Sequence, residues 1–290
     1  MPESDASKSP VLGPRPEDVT AHYRVPHLLE TIRTGLAALG KTPETVAVED
    51  LAPIEEFHIG GRPATKEVLD QLGLQPGQQV LDIGCGIGGP ARFAASTYGV
   101  RVSGIDLTAD YVEIGQTLSQ WVGLAERVSL RQASATSLPF TQGTFDAAYM
   151  LHVGMNIAEK QTLAREAARV LKPGSLFAVF DVMRLNDEPL KFPVPWAAHS
   201  GLSSVDTPNT YKEALQLAGF DVVAERNRRD FAITFFENIR ARQESAGGPP
   251  PLGLHQVMGG DAKVKMANLL ENLKAGRLGP CEIIARKRAG

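Results

Sequence analysis

Cysteine is nearly absent: the 290 residues hold two, Cys85 and Cys281, too few for a disulfide framework or a closed zinc site. A reducing compartment is expected, with a cytoplasmic location. An excess of one charge is missing too, since 30 Lys plus Arg stand against 33 Asp plus Glu and leave −3. That balance removes the electrostatic motive for binding nucleic acid. No apolar run approaches the roughly 20 residues that span a bilayer; the longest candidate, 175–182, is strand-sized. Residues 1–16 have prolines at 2, 10, 14 and 16 among Ser and acidic groups and no apolar stretch, which predicts a frayed tail and no secretory signal. No spacing of His, Cys or carboxylates points to a metal. What remains is 43% apolar and 22% charged residues, ordinary globular usage.

From Val80 onward, short apolar runs alternate with helical patterns, the sequence form of a parallel sheet covered by helices. Strands are expected at 80–83, 101–105, 128–132, 145–150, 175–182, 220–229 and 281–287. Helices are expected at 90–98, 108–122, 159–171 and 207–218, the last opened by Thr207-Pro208 and stopped by Gly219. The fold class is thus α/β, a Rossmann-like, seven-stranded, mostly parallel sheet with helices on both faces. An N-terminal helical cap at 17–79 holds amphipathic stretches at 27–39 and 64–73. The core runs from 80 to 290, and about 230–279 forms a helical lid before the last strand, too long for a plain connection.

VLDIGCGIGG places Gly84, Gly86 and Gly89 in G-x-G-x-x-G spacing between a strand and a helix, where a ligand can approach bare backbone at a helix N-terminus. Asp106 ends the next strand 17 residues later, near the interval at which an acid accepts ribose hydroxyls. A nucleoside is expected. Asp82, two residues before the first glycine, would repel a pyrophosphate and suit a cationic, phosphate-free ligand such as S-adenosyl-L-methionine.

In that order, VLDIGCGIGG, VSGIDLT, SATSLPF, FDAAYM and RVLKPGS resemble the class I S-adenosylmethionine-dependent methyltransferases. DIGCGIGGPARFAA is most similar to the branch of sterol and small-molecule methyltransferases that includes glycine and sarcosine N-methyltransferases; FHIGGRPAT and GPPPLGLHQVMGG are weakly similar to it. The resemblance implies that Asp82, Gly84, Cys85 and Gly86 hold the methionine part, Asp106 the ribose and Leu107 the adenine. Leu151 or His152 would flank the methionine side, and Tyr23 would close over the cofactor. At Ser134 the family usually has an acid, so Ser134 Oγ, the Ala135 N–H or Thr136 would meet the adenine amine instead. S-adenosyl-L-homocysteine would be the product.

In such sheets ligands bind beyond the carboxyl ends of the strands, which points to Met155 and Asn156 after strand four and to Trp196 and His199 after strand five as acceptor contacts. His152 is the candidate proton acceptor, with a wall role as its alternative. His58 and His255 lie in glycine-flanked loops, and Arg226, Arg228 and Arg229 read as a solvated face. The expected function is methyl transfer to the N, C or O atom of a small molecule, in natural-product or secondary metabolism. The rivals are an NAD-dependent oxidoreductase and a non-catalytic S-adenosylmethionine-binding protein.

Overall fold

The computed structural model describes residues 13–289. Most of the expected tail, residues 1–12, lies outside the described residues, and Pro16 is already the first residue of a helix. Four helices precede the sheet: α1 (Pro16–Tyr23), α2 (Leu28–Ala38), α3 (Val48–Glu55) and α4 (Gly61–Asp70). Then follow β1 (Gln79–Ile83), α5 (Gly89–Tyr98), β2 (Arg101–Asp106), α6 (Ala109–Trp121), β3 (Val128–Gln132) and β4 (Phe145–Leu151). The remainder is α7 (Lys160–Val170), β5 (Leu171–Arg184), α8 (Pro208–Leu217), β6 (Phe220–Asn227), α9 (Arg229–Ala246), α10 (Ala262–Lys274) and β7 (Leu278–Lys287).

The seven strands form one sheet in the order β3-β2-β1-β4-β5-β7-β6. Only β7 runs against its neighbours, antiparallel to both β5 and β6. Alternation along the central strands feeds two cores, as a sheet covered on both sides requires. Leu81, Ile83, Ala148 and Met150 pack with Leu163 and Ala167 of α7 and Leu215 of α8. Val80, Ala147, Tyr149 and Phe180 face the opposite way, toward Val68 of α4, Ala91 of α5 and Val112 of α6. Asp82 shares the parity of Val80, and its register partners are Gly104 in β2 and Tyr149 in β4.

The stretch expected as one cap divides. α4 joins the sheet-covering layer, whereas Leu28, Ile32 and Leu36 of α2 and Leu51 and Ile54 of α3 pack on Ile87 of the glycine turn and on Tyr111 and Leu118 of α6. Leu252, between α9 and α10, enters the same cluster, and a Cβ on Gly35 would lie 2.7 Å from its Cδ1. The lid insertion is thereby tied to the cap.

β5 and β7 extend beyond the expected 175–182 and 281–287. Their antiparallel register runs to Arg184↔Leu278, and main-chain pairing needs no apolar side chains. Residues 172–174, between the helix expected at 159–171 and the strand expected at 175–182, are absorbed into β5, where the register with β4 shifts between Phe145 and Ala147. The start of α8 is as expected, Thr207 Oγ1 accepting the Thr210 N–H at 3.2 Å.

Candidate functional site

The glycine turn sits at the carboxyl end of β1 with four of its amides already engaged. The Gly84 and Cys85 N–H groups donate to Ile105 O at 2.8 and 2.9 Å, and the Gly88 N–H to Cys85 O at 2.8 Å. The Gly86 N–H donates to Asp106 Oδ2 at 2.9 Å, while the Thr108 N–H takes Asp106 Oδ1 at 2.9 Å. The second acid is thus oriented by backbone on both oxygens, with lone pairs left for further donors. Gly84 has φ +76°, and a Cβ there would stand 2.3 Å from Val153 Cγ2, so only glycine fits.

Asp82 is buried and accepts the Tyr149 hydroxyl at 3.0 Å. Burial, outweighing that hydrogen bond and aided by Asp106 and Glu56, pushes its carboxyl up to about 8. Burial also raises Asp106 above the ordinary carboxylate range, against the pull of its Thr108 and Gly86 amide bonds. Cys85 is buried with its thiol pushed well upward by burial and by the two acids; its side chain packs in the core, leaving its main chain to the turn.

Leu107 follows Asp106, its carbonyl held by Gln132 Nε2 at 3.0 Å. After β3, Ser134 Oγ and Thr136 Oγ1 lie 2.8 Å apart, and the Thr136 N–H reaches Ser134 Oγ at 3.2 Å. Ser134, Ala135 and Thr136 therefore form one polar bend, with Ala135 buried.

From the cap, Phe57 comes within 3.3 Å of where a Gly86 Cβ would stand, and its ring is 5.6 Å from that of Tyr111. The Tyr111 hydroxyl anchors the end of α1 by donating to Tyr23 O at 2.6 Å. The Tyr23 hydroxyl in turn accepts Asn156 Nδ2 at 3.2 Å, leaving the buried Asn156 Oδ1 without a partner.

Residues 81–179 match the family described as a methyltransferase domain. A phosphoethanolamine N-methyltransferase of Triticum aestivum is 38% identical over 175 residues, 59% of this chain and 34% of that protein. The methyltransferase GfsG of Streptomyces halstedii is 27% identical over 199 residues, 68% of this chain and 69% of that one. The chain spans about a third of the length of the first curated relatives it matches. Among solved structures, the [4+2]-cyclase SpnF superposes with a TM-score of 0.67 at 24% identity, covering 96% of this chain and 98% of that one.

Within the matched segment, His152 follows β4 at φ +55°, a conformation uncommon for a residue with a side chain. It is buried; its Nδ1 lies 3.2 Å from Phe180 O, and its Nε2 accepts the Ile59 N–H at 3.4 Å. Burial and the neighbouring His58 push its pKa well below 6.5, so the ring is neutral with both nitrogens facing main chain. Leu151 and Met155 are buried on either side. Trp196 is also buried, its Nε1–H given to Ser203 Oγ at 2.9 Å, whereas His199 is exposed. The turn Gly154–Asn156 is held from below: Asp181, fully buried, accepts the Tyr211 hydroxyl at 2.7 Å, and a Cβ on Gly154 would stand 2.5 Å from its Oδ2.

Sequence reasoning missed several supports. Arg92 on α5 is fully buried against Glu55 at 2.5 Å, with Gly115 O at 3.1 Å. His58 lies 3.0 Å from Thr65 Oγ1 and 5.8 Å, ring to ring, from His152. The FHIGG stretch signalled a loop there, but nothing local revealed what its histidine would meet. Arg228, expected on a solvated face, is instead buried, 2.7 Å from Glu67 and 4.0 Å above the Phe231 ring.

Proposed function

We propose that the protein is a methyltransferase that binds S-adenosyl-L-methionine and methylates a small molecule. The observation that carries this reading is the state of the glycine turn. Four of its amides are spent on the protein's own oxygens, and two acidic side chains, Asp82 and Asp106, flank it. A pyrophosphate gains least where amides are already spent and acids adjoin them, which weighs against the dinucleotide alternative. A ligand with an ammonium, a sulfonium and ribose hydroxyls suits the same donor set.

In this reading Asp82, Gly84, Cys85 and Gly86 hold the methionine part, Asp106 the ribose, and Leu107 with the Ser134, Ala135 and Thr136 bend the adenine. Tyr23, linked to Asn156, and Leu151 close the methionine side. When bound, S-adenosyl-L-methionine supplies an electrophilic methyl group and leaves as S-adenosyl-L-homocysteine. The chain's own part is alignment and exclusion of water. Met155, Asn156 and Trp196 belong to the acceptor wall; His199, being exposed, falls outside it. His152, with both nitrogens committed, acts as a wall that fixes the Ile59 and Phe180 main chains, and the acceptor atom needs no strong base.

Because a [4+2]-cyclase shares the fold over nearly the whole chain, cofactor binding alone is not a sufficient test. Calorimetry with sinefungin is paired with S-adenosyl-L-homocysteine release from pools of amines, phenols and isoprenoids, read as a mass gain of one methylene. Binding with release is expected. No heat with sinefungin, or its displacement by NAD, overturns the proposal, and binding without release under any pool favours the non-catalytic alternative.

A further inference from the structure

We infer that Phe57 is a further cofactor-contacting residue, an aromatic ring held beside the glycine turn for the positive charge of the methionine part; this rests on the function proposed above. Burial is inverted where α3 ends. Glu55, Glu56, His58, Ile59 and Gly60 are all buried, and Phe57 among them is only half-buried. Charged groups ordinarily face water and aromatics the core, so a loop that turns two carboxylates and an imidazole inward and leaves a ring partly outward calls for a role for the ring. The inward groups have partners. Arg92 Nη2 donates to Glu55 Oε2 at 2.5 Å and Arg62 Nη2 to Glu55 Oε1 at 2.7 Å. Glu56 accepts Arg62 Nε and, at 2.6 Å, the Thr65 hydroxyl, while His58 Nε2 lies 3.2 Å from Gly61 O. Arg92 is fixed in turn by Gly115 O at 3.1 Å and Ser119 Oγ at 3.2 Å.

Two glycines make room for this clamp. A Cβ on Gly89 would stand 2.6 Å from Glu55 Cγ, and one on Gly88 2.9 Å from Arg92 Nη1, so the second half of the glycine run is a socket for the cap. A buried ion pair often adds little stability over an apolar substitute; what this one fixes is the path of the backbone on either side of Phe57, and with it the place of the ring. The Cδ2 and Cε2 edge of that ring comes 3.3 and 3.4 Å from the position of a Gly86 Cβ. Its centroid is 5.6 Å from that of Tyr111, and it packs against the cap cluster. Gly86 in turn gives its N–H to Asp106, so the ring and that acid adjoin the same residue of the turn, where the methionine part is proposed to lie. A sulfonium has no N–H to offer a hydrogen-bond acceptor, and an aromatic face attracts it through the ring quadrupole. The ring also carries no charge, so it adds none of the desolvation cost that a third buried carboxylate beside Asp82 and Asp106 would bring.

S-adenosyl-L-methionine and S-adenosyl-L-homocysteine differ by one methyl group and the charge on sulfur, so the ratio of their affinities reads the contact. Calorimetry on the full chain compares the two, together with sinefungin, whose amine carries the charge in place of the sulfonium. Phe57→Leu should weaken S-adenosyl-L-methionine and sinefungin about fivefold and S-adenosyl-L-homocysteine less than about twofold. Phe57→Tyr, which keeps the ring, should keep the ratio of the unmodified protein. Phe57→Met takes the place of the leucine variant if that one does not fold. Equal losses for all three ligands, no loss for any, or a ratio that falls in Phe57→Tyr as it does in Phe57→Leu overturns the inference, because a ring that only packs does not sense the charge on sulfur. In each of those cases the unmodified chain still binds the ligands and the cofactor reading stands; if the unmodified chain binds none of the three, the cofactor reading fails and this inference with it.

Discussion

The two sides of the site are built in different ways. On the cofactor side, consecutive residues of one strand-turn-helix unit do most of the work: Asp82 through Gly88 lie within seven positions, and Asp106 meets Gly86 because β2 pairs with β1. On the proposed acceptor side, α1 and the turn Gly154–Asn156 contribute one side chain each, and the loop before α8, α9 and α10 contribute several each. A backbone-built cradle tolerates little change, because its geometry is set by φ angles and amide directions. A wall built from side chains can be retuned one residue at a time, which is how one fold serves many functions.

The sharpest way to break this contrast is Gly84→Ala. Left-handed strain and the clash with Val153 together cost about 2–5 kcal/mol, so sinefungin binding measured by calorimetry should weaken about a hundredfold or more. Wild-type affinity would show that the turn is not the cradle. Next comes Asp106→Ala, which removes a carboxylate whose charge-assisted bonds are worth about 1.5–3 kcal/mol; a loss of about 10- to 100-fold is expected.

Asp82 sharpens the comparison through pH. Its carboxyl is raised to about 8, so at pH 6.5 it is protonated in the free protein, and a cationic ligand that favours the carboxylate should release that proton. Calorimetry in buffers of different ionisation heat should detect the release, and Asp82→Asn should abolish it. The sign for stability follows from the same shift: the unfolded chain, with its ordinary value near 3.8, ionises first, so Asp82 opposes folding increasingly as pH rises from about 4 to about 8. Asp82→Asn should therefore melt higher than wild type at pH 8 and equally at pH 4.

Smaller effects test the walls. His152→Asn keeps a residue that tolerates the left-handed backbone and should leave the methyl-transfer rate within about tenfold, as loss of a wall and not of a base. A rate fall beyond about a thousandfold, with a histidine-like limb lost from the pH profile, would restore His152 as the base. Smallest is Tyr23→Phe, which removes the acceptor for Asn156 Nδ2; one neutral hydrogen bond is worth about 1 kcal/mol, or roughly fivefold in sinefungin affinity.

What could be seen in advance follows the same division. The strand-turn-helix unit was legible because its signals are contiguous: alternating apolar runs, glycines at fixed spacing, an acid one strand later. Seven strands emerged within a few residues of their expected ends, with errors where main-chain pairing outran the apolar pattern, as at Leu171–Pro173 and Leu278; that β7 is the antiparallel strand came from the structure alone. His152 was visible as a histidine beside the donor site, but its partners Ile59 and Phe180 come from segments 93 and 28 residues away. Asp181 read as one more strand residue; only the packing of α8 brought Tyr211 onto it.

Local sequence determined the sheet, the glycine turn and the two acids beside it, because backbone conformation and nearest-neighbour pairing depend on residues close along the chain. Tertiary structure alone decided that Asp82 would be buried enough to hold its proton, that α4 would join the sheet layer, and that Arg228, expected in solvent, would be buried beside Glu67 and Glu282. Those outcomes depend on what distant segments place around a group, and burial and pairing, not residue type, set the charge a side chain carries.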